Sequence, residues 1–541
     1  MNMAPTAHQD RFIVDRLPPP ALRPKKIRSL PDLDFPLRFN AAQWLLMQGG
    51  RRAGDGPAVI APGVSWSHSE LAALVVRMAR RLVADLAIMP GNRVLLAGAN
   101  SPALLAAILA ALAAGAIAVP VLPLLRAREL AAIVTTARPQ LALVDGSVHA
   151  GLEEACRIAG HPAVMGDLAA LAGPACGGSD STTLPDSPPT LRDDPALLLF
   201  SSGTTGRPKA AVHSHGDIAS IVLTFGHHIF RARPGDVILG TPSLAFAYGF
   251  GALLTFPLAA GAAVHLDPAM RPAQLLDTAG ASGATMLVTA PTAYRRLLAE
   301  DAVRPLTRLR RCFSAGEPLP TATGQAWAAC TGAPIVDLLG STEMLGPYVS
   351  APEEEWRPGT IGRAVPGYEL RLVDAEGRPV AAGAYGRLAV RGPTGCTLLD
   401  HNEQARMVQD GWTLTGDICR LDGDGYVHYE GRLDGIIVSA GYNISAVEVE
   451  EALAAHPAVA ECAVVGVPDA ERGAAVAALV VPRKDVHADD ALADALRSHV
   501  KAVIAPYKAP RRIRFVDSLP RTATGKIRRR DLAALVDKDV E

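Results

Sequence analysis

Short apolar runs alternate with longer Ala/Leu-rich stretches through most of this chain. The runs at Arg93–Ala97, Ala116–Val121, Gln140–Val144, Ala196–Phe200, Val237–Gly240, Ala262–Leu266, Thr285–Thr289 and Arg311–Ser314 are short and apolar nearly throughout. That pattern predicts strands buried on both faces, as in parallel sheets covered by helices. From about Gly359 the texture becomes a β-rich meander, with turns at Asp374-Ala375-Glu376-Gly377 and Asp422-Gly423-Asp424-Gly425. After Gly431-Arg432-Leu433-Asp434-Gly435 the pattern predicts a helix over Ser445–Ala455, strands over Val459–Val467 and Ala474–Pro482, and a helix over Asp489–Val503. This is the order of a small α+β domain of about a hundred residues. The expected organisation is an N-terminal domain over 1–433 and a C-terminal domain over 434–541. The expected fold class is α/β: a large domain of parallel-rich sheets with covering helices plus a β-rich subdomain, followed by the small α+β domain.

One run, Ala103–Leu125, is apolar over a length that could span a bilayer. Gly115, Pro120 and Pro123 divide it, so a buried helix over Ala103–Ala114 followed by a strand is the better reading. With 541 residues the chain exceeds one core. Its formal net charge of −1 carries no bias towards nucleic acid. The seven cysteines are scattered, odd in number and without CxxC spacing. That argues for a reducing, cytoplasmic compartment and against a zinc site. The Gly/Ser/Thr/Pro-rich stretch Ala172–Pro189 reads as a surface loop.

The most informative chemistry follows the run Ala196–Phe200, in Ser201-Ser202-Gly203-Thr204-Thr205-Gly206-Arg207-Pro208-Lys209. Two glycines let the backbone curl, hydroxyls and amide N–H groups converge on one anion, and a lysine closes the loop. Such a cradle suits nucleotide phosphates. Its glycines stand closer together than those of a Walker A loop. A second lysine, Lys526, sits on a Thr/Gly loop, Arg521-Thr522-Ala523-Thr524-Gly525. His213 and His215 form an HxH pair with no further ligand at metal spacing, which favours packing over a metal. Asp422–Gly425 lacks the later ligands of a calcium loop and reads as a hairpin turn.

Six stretches in order resemble the adenylate-forming superfamily of acyl- and aryl-CoA ligases, carrier-protein adenylation domains and luciferases. They are the 201–209 loop, Leu339-Gly340-Ser341-Thr342-Glu343, Leu414-Thr415-Gly416-Asp417, Gly431-Arg432-Leu433-Asp434, Gly441-Tyr442-Asn443-Ile444 with Glu448-Val449-Glu450, and Thr522–Lys526. The resemblance covers the chain from about residue 40 to 532. It implies ATP, Mg²⁺ and CoA as cofactors and a small aromatic carboxylic acid as partner, with no nucleic acid and no membrane. Ser201, Ser202, Gly203, Thr204, Thr205, Gly206 and Lys209 would cradle the leaving pyrophosphate, and Glu343 would hold the metal. Thr342 would donate to the α-phosphate, and Lys526 would supply charge to the carboxylate and α-phosphoryl group. Gly316, Glu317, Pro318 and Leu339 would line the adenine, next to Gly340 and Ser341. Asp417 and Arg432 would take the ribose. The small domain would be mobile, with Asp434 as hinge, exchanging the Lys526 loop for the Gly441 loop beside which pantetheine fits.

For the acid, Phe246, Ala247, Tyr248 and Gly249 resemble the pocket segment of benzoate-CoA and 2-aminobenzoate-CoA ligases, and Gly340, Met344, Leu345 and Gly346 complete the slot. Benzoate-type relatives usually carry a histidine where Gly346 stands. Rival readings are an enzyme loading a carrier protein, a luciferase-like oxygenase, and a catalytically silent acyl-adenylate or nucleotide-binding protein. The last would be expected to lack Lys526 or Glu343, and both are present.

Overall fold

The computed structural model describes residues 5–146, 148–173, 188–201, 208–268, 274–299, 308–439, 442–469, 473–504, 506–521 and 527–536. Within these, the chain is α/β and divides into two compact units. One comprises Met1–Leu319, Thr323–Leu370 and Ala389–Leu414; the other comprises Pro320–Ala322, Arg371–Leu388 and Thr415–Glu541.

Two sheets build the first unit. A six-stranded sheet runs Val164–Asp167, Leu141–Val144, Arg93–Ala97, Ile117–Val121, Pro195–Ser201, Lys209–Ser214. Its first five strands are parallel and the last pair is antiparallel. A nine-stranded sheet runs Arg363–Ala364, Pro347–Ser350, Ile335–Gly340, Arg311–Ser314, Met286–Thr289, Val237–Gly240, Ala263–His265, Pro57–Ala61, Val64–Ser67. Its inner strands are parallel and its outer pairs antiparallel. Every residue of Arg93–Ala97 and Ile117–Val121 is buried, as expected for apolar strands covered on both faces.

The apolar stretch after Asn100 is the helix Pro102–Ala113, its start capped by the Ser101 hydroxyl accepting from Leu104 N. It packs against the helices His68–Ala84 and Ala41–Ala53, which accounts for its lack of a polar face. No helix among the described residues is long and apolar enough to cross a membrane.

Strands Glu369–Val373, Tyr385–Arg391, Trp412–Leu421, Val408–Gln409 and Val427–Arg432 form a five-stranded sheet. The Asp422–Gly425 segment is the expected hairpin turn: the Asp422 carboxylate accepts from Asp424 N and Tyr426 N. In the second unit a three-stranded sheet (Val459–Asp469, Gly473–Pro482, Arg512–Phe515) packs on the helices Ala446–Ala454 and Asp490–Val503. Val449, Leu453, Val464, Val480, Leu496 and Val500 form the core between them. Most of the Ala172–Pro189 loop lies outside the described residues.

Candidate active site

The 201–209 loop joins two adjacent antiparallel strands, with Ser201 paired in register to Lys209. Its middle, Ser202, Gly203, Thr204, Thr205 and Gly206, lies outside the described residues, as do Gly441 and Lys526. Both ends of the loop are engaged. The Ser201 hydroxyl donates to Glu343 Oε1 at 2.9 Å, which brings the loop to the carboxylate of the Ser341-Thr342-Glu343 turn. Lys209 Nζ lies 2.6 Å from Glu403 Oε2, with the two side chains only 15% and 13% exposed. Arg406 makes a second ion pair to Glu403 at 3.0 Å. Nothing in the sequence pointed to Glu403, because its partner lies in a distant segment.

The turn after the strand Ile335–Gly340 is tightly held. Met344 N donates to Ser341 Oγ at 3.2 Å, and Leu345 N donates to the Thr342 carbonyl at 3.1 Å. Leu345 has φ 63°, a left-handed conformation uncommon for a branched side chain. The Met344 carbonyl accepts from the Thr394 hydroxyl at 2.8 Å, and Thr394 Oγ1 lies 2.8 Å from Tyr368 Oη. This places Thr342, Glu343, Met344, Leu345 and Gly346 in one constrained stretch. Gly340 must lack a side chain: an ideal Cβ there would lie 2.8 Å from the Gly346 carbonyl oxygen.

Phe246 precedes the short helix Ala247–Phe250, and its carbonyl accepts from Phe250 N at 2.8 Å. Asn100 fixes the approach to this helix by donating to the Pro242 carbonyl (2.8 Å) and accepting from Leu244 N (2.9 Å). At Gly249 an ideal Cβ would lie 2.0 Å from the Ser243 carbonyl oxygen, so only glycine fits. The Tyr248 hydroxyl is buried and has no hydrogen-bond partner among the described residues. Burial, reinforced by the nearby Asp337 carboxyl and Cys312, pushes this phenol's pKa well above its ordinary value.

Asp337 lies two residues before Leu339 on the same strand, so the two share a face. Burial pushes its carboxyl up to about 8, although its own Oδ1 accepts from Leu338 N at 3.0 Å. Sequence reasoning passed over Asp337; the available signal was an acid inside an otherwise apolar strand. Beside it in register is Ser314, which leads into Gly316 (φ 91°), Glu317 and Pro318. Glu317 Oε2 accepts from the Thr292 hydroxyl at 2.5 Å, whose oxygen accepts from Arg295 Nη2 at 3.2 Å.

His213 and His215 are both fully buried. Desolvation lowers them to about 4 and about 3 respectively, and His215 Nδ1 accepts from Ala41 N at 3.1 Å. Among the described residues no group of His, Cys, Asp or Glu could hold a metal ion.

In the second unit Asp417 and Arg432 face each other in register across two antiparallel strands. Arg432 Nη1 donates to Asp417 Oδ1 at 3.2 Å and to the Thr415 carbonyl at 2.9 Å. Asp417 N donates to Thr415 Oγ1 at 3.1 Å. Gly416, at φ 79°, leaves room for the guanidinium, whose Nη2 would lie 2.9 Å from an added Cβ. Asp434 falls in the single 3₁₀ turn Leu433–Gly435, and Arg521 and Ile527 bridge across the base of the Lys526 loop.

Residues 47–397 match the model of the AMP-binding enzyme family, and residues 448–526 match that of the AMP-binding enzyme C-terminal domain. The chain is 35% identical to the benzoate–CoA ligase of Thauera aromatica over 511 residues, covering 92% of this chain and 96% of that protein. Among solved structures, an anthranilate CoA ligase, AuaEII, in complex with anthranoyl-AMP superposes with a TM-score of 0.87 at 31% identity, covering 94% of this chain and 99% of the other. A benzoate CoA ligase from Burkholderia xenovorans LB400 gives a TM-score of 0.81 at 32% identity, covering 92% and 100%. A constrained Thr-Glu turn tied to the end of the glycine-rich 201–209 loop, within matches that span both models, makes this chain a member of the AMP-binding enzyme family.

Proposed function

We propose that the chain is a cytoplasmic, AMP-forming aryl-acid:CoA ligase acting on a benzoate-type acid. The observation that carries this reading is the 2.9 Å bond from Ser201 to Glu343, which joins the end of the phosphate loop to the metal-type carboxylate in a chain of this family. In the first step the acid's carboxylate attacks the α-phosphorus of ATP and pyrophosphate leaves, giving an acyl-adenylate. In the second, the CoA thiol attacks the acyl carbon and AMP leaves.

The chain's residues divide the work. Ser202, Gly203, Thr204, Thr205 and Gly206 hold the β- and γ-phosphates through N–H and O–H donors. Thr342 donates to the α-phosphate, and Lys526 offsets the repulsion between two anions that must meet. Asp417, already oriented by Arg432, accepts from the ribose hydroxyls. Leu339 and the Gly316–Pro318 backbone flank the adenine. Phe246, Ala247, Tyr248, Gly340 and Gly346 form the acid slot. Glu343, a hard oxygen donor oriented by the Ser201 hydroxyl, fits magnesium, which when bound offsets phosphate charge. The C-terminal domain from Asp434 rotates between the steps, so that the Gly441 loop replaces Lys526 and leaves room for pantetheine.

AMP release from a panel of benzoates, with and without CoA, tests this. CoA-dependent release supports the ligase. Release only with a carrier protein replaces it with a carrier-loading adenylation enzyme, and binding without release replaces it with a silent binding protein.

A further inference from the structure

The backbone of Gly346 is clamped on both sides. On one side it meets Gly340, where any Cβ would press on the Gly346 carbonyl at 2.8 Å. On the other side lies Ile221. An ideal Cβ on Gly346 would come 2.9 Å from Ile221 Cγ2 and 3.3 Å from Ile221 Cβ, closer than the optimum for carbon–carbon contact. The stretch cannot slide away from either neighbour. Leu345, at φ 63°, is held by its N–H on the Thr342 carbonyl and by the Thr394 bond to the Met344 carbonyl.

Ile221 is itself fixed. It is 1% exposed and ends the helix His215–Ile221. The chain there widens into the nine-residue π-helix Val222–Phe230, a rare form that recurs at functional sites. Its branched Cβ restricts χ1 to few rotamers, so its methyl group has a defined place. A second π segment, Gly251–Thr255, follows the Phe246–Phe250 stretch. The two segments meet through Phe256, whose ring centroid lies 5.6 Å from Phe225 and 5.2 Å from Phe230. Ile221 is therefore part of a packed helical frame behind the slot rather than a surface residue.

We propose that Ile221 is a specificity-determining residue of the acid slot: it fills the volume into which a side chain at position 346 would project, and sets an apolar limit on the ring bound there. This rests on the ligase reading, which makes Gly346 a slot residue. An apolar, branched wall favours an aryl acid whose facing edge bears hydrogen or a small apolar group, because a polar substituent would lose its water without gaining a partner. Trimming the wall admits bulk.

The test compares the wild type with Ile221→Val, Ile221→Ala, Gly346→Ala and the Ile221→Ala/Gly346→Ala pair. kcat/KM is measured by CoA-dependent AMP release for benzoate, the three methylbenzoates and 2-naphthoate. One methylene in an apolar pocket is worth about ten-fold or more in discrimination. Ile221→Ala should therefore raise the preference for at least one bulky acid over benzoate by about ten-fold, with Ile221→Val between. Gly346→Ala should depress turnover of every acid, and adding Ile221→Ala should restore it. An active Ile221→Val enzyme with wild-type ratios for all five acids, together with no rescue in the pair, overturns the inference and leaves the ligase reading standing. A wild type that releases no AMP with any of the acids refutes the ligase reading and the inference with it.

Discussion

Replacing Thr394 by valine should damage catalysis without touching any reacting group. The side chain is 1% exposed, and its Oγ1 serves two buried partners, the Met344 carbonyl and the Tyr368 hydroxyl, each at 2.8 Å. The threonine proton goes to the carbonyl, so Tyr368 is the donor to Oγ1. Valine keeps the shape, strands the Met344 carbonyl and takes from Tyr368 one of its two hydroxyl neighbours, leaving Thr224. The stranded carbonyl costs roughly 1–3 kcal/mol and the bond lost at Tyr368 adds about 1 kcal/mol, giving about 2–4 kcal/mol in all. The left-handed Leu345 beside it stores roughly 1–2 kcal/mol. The clamp thus outweighs the strain in the wild type, and in the variant the balance turns towards a relaxed turn that carries Thr342 and Glu343 with it.

A displacement of about 1 Å at such groups costs roughly a hundred-fold. The acid-dependent exchange of pyrophosphate into ATP, which isolates the first step, should fall by about ten- to a hundred-fold in rate, with the KM for ATP moving less. Urea unfolding should show the stability loss. Thr394→Ser retains the hydroxyl and should stay near wild type. Tyr368→Phe should cost only about 1 kcal/mol, and pairing it with Thr394→Val should cost less than the sum, because the Tyr368–Thr394 bond is then lost only once. Wild-type exchange and an unmoved urea midpoint in Thr394→Val would refute the clamp.

The buried Asp337 carboxyl, pushed up to about 8, stays protonated in the folded chain while it ionises near 4 when unfolded. The native state then binds more protons between about pH 4 and pH 8, so stability falls as pH rises through that window. Asp337→Asn should flatten that slope in urea titrations at several pH values; an unchanged slope counts against the assignment. For the Lys209–Glu403 pair, Glu403→Gln should cost roughly 3 kcal/mol by stranding the largely buried lysine, Lys209→Met should cost less because Arg406 still pairs with Glu403, and the double substitution should recover part of the Glu403→Gln loss. Additive losses in the urea midpoints would show that the pair is not coupled. Lys526→Ala should abolish adenylation yet spare thioester formation from supplied acyl-adenylate, and equal loss of both half-reactions would remove its proposed role.

What the chain revealed in advance follows from the range of the forces involved. Strands such as Arg93–Ala97, Val237–Gly240 and Arg311–Ser314 were legible to the residue, because burial on both faces writes itself as a short run with an apolar centre. The family was legible too, since its motifs are short runs of residues adjacent in sequence. The strand Lys209–Ser214 was not, because a lysine, a histidine and a serine interrupt its apolar pattern; its place is set by pairing with Pro195–Ser201. Thr394 and Glu403 were invisible for a stronger reason. Each acts on a partner far along the chain, Thr394 on the Met344 carbonyl and Glu403 on Lys209, and no local pattern encodes such a meeting. Ile221 belongs to the same class: it looks like any core isoleucine until the missing side chain of Gly346 is seen beside it. The sequence therefore named the groups proposed to contact phosphate and left unnamed those packed against them. Since the turn after Gly340, left-handed at Leu345, depends on its neighbours to stay in place, the unnamed residues are the ones whose substitution should separate a chain that folds from one that turns over.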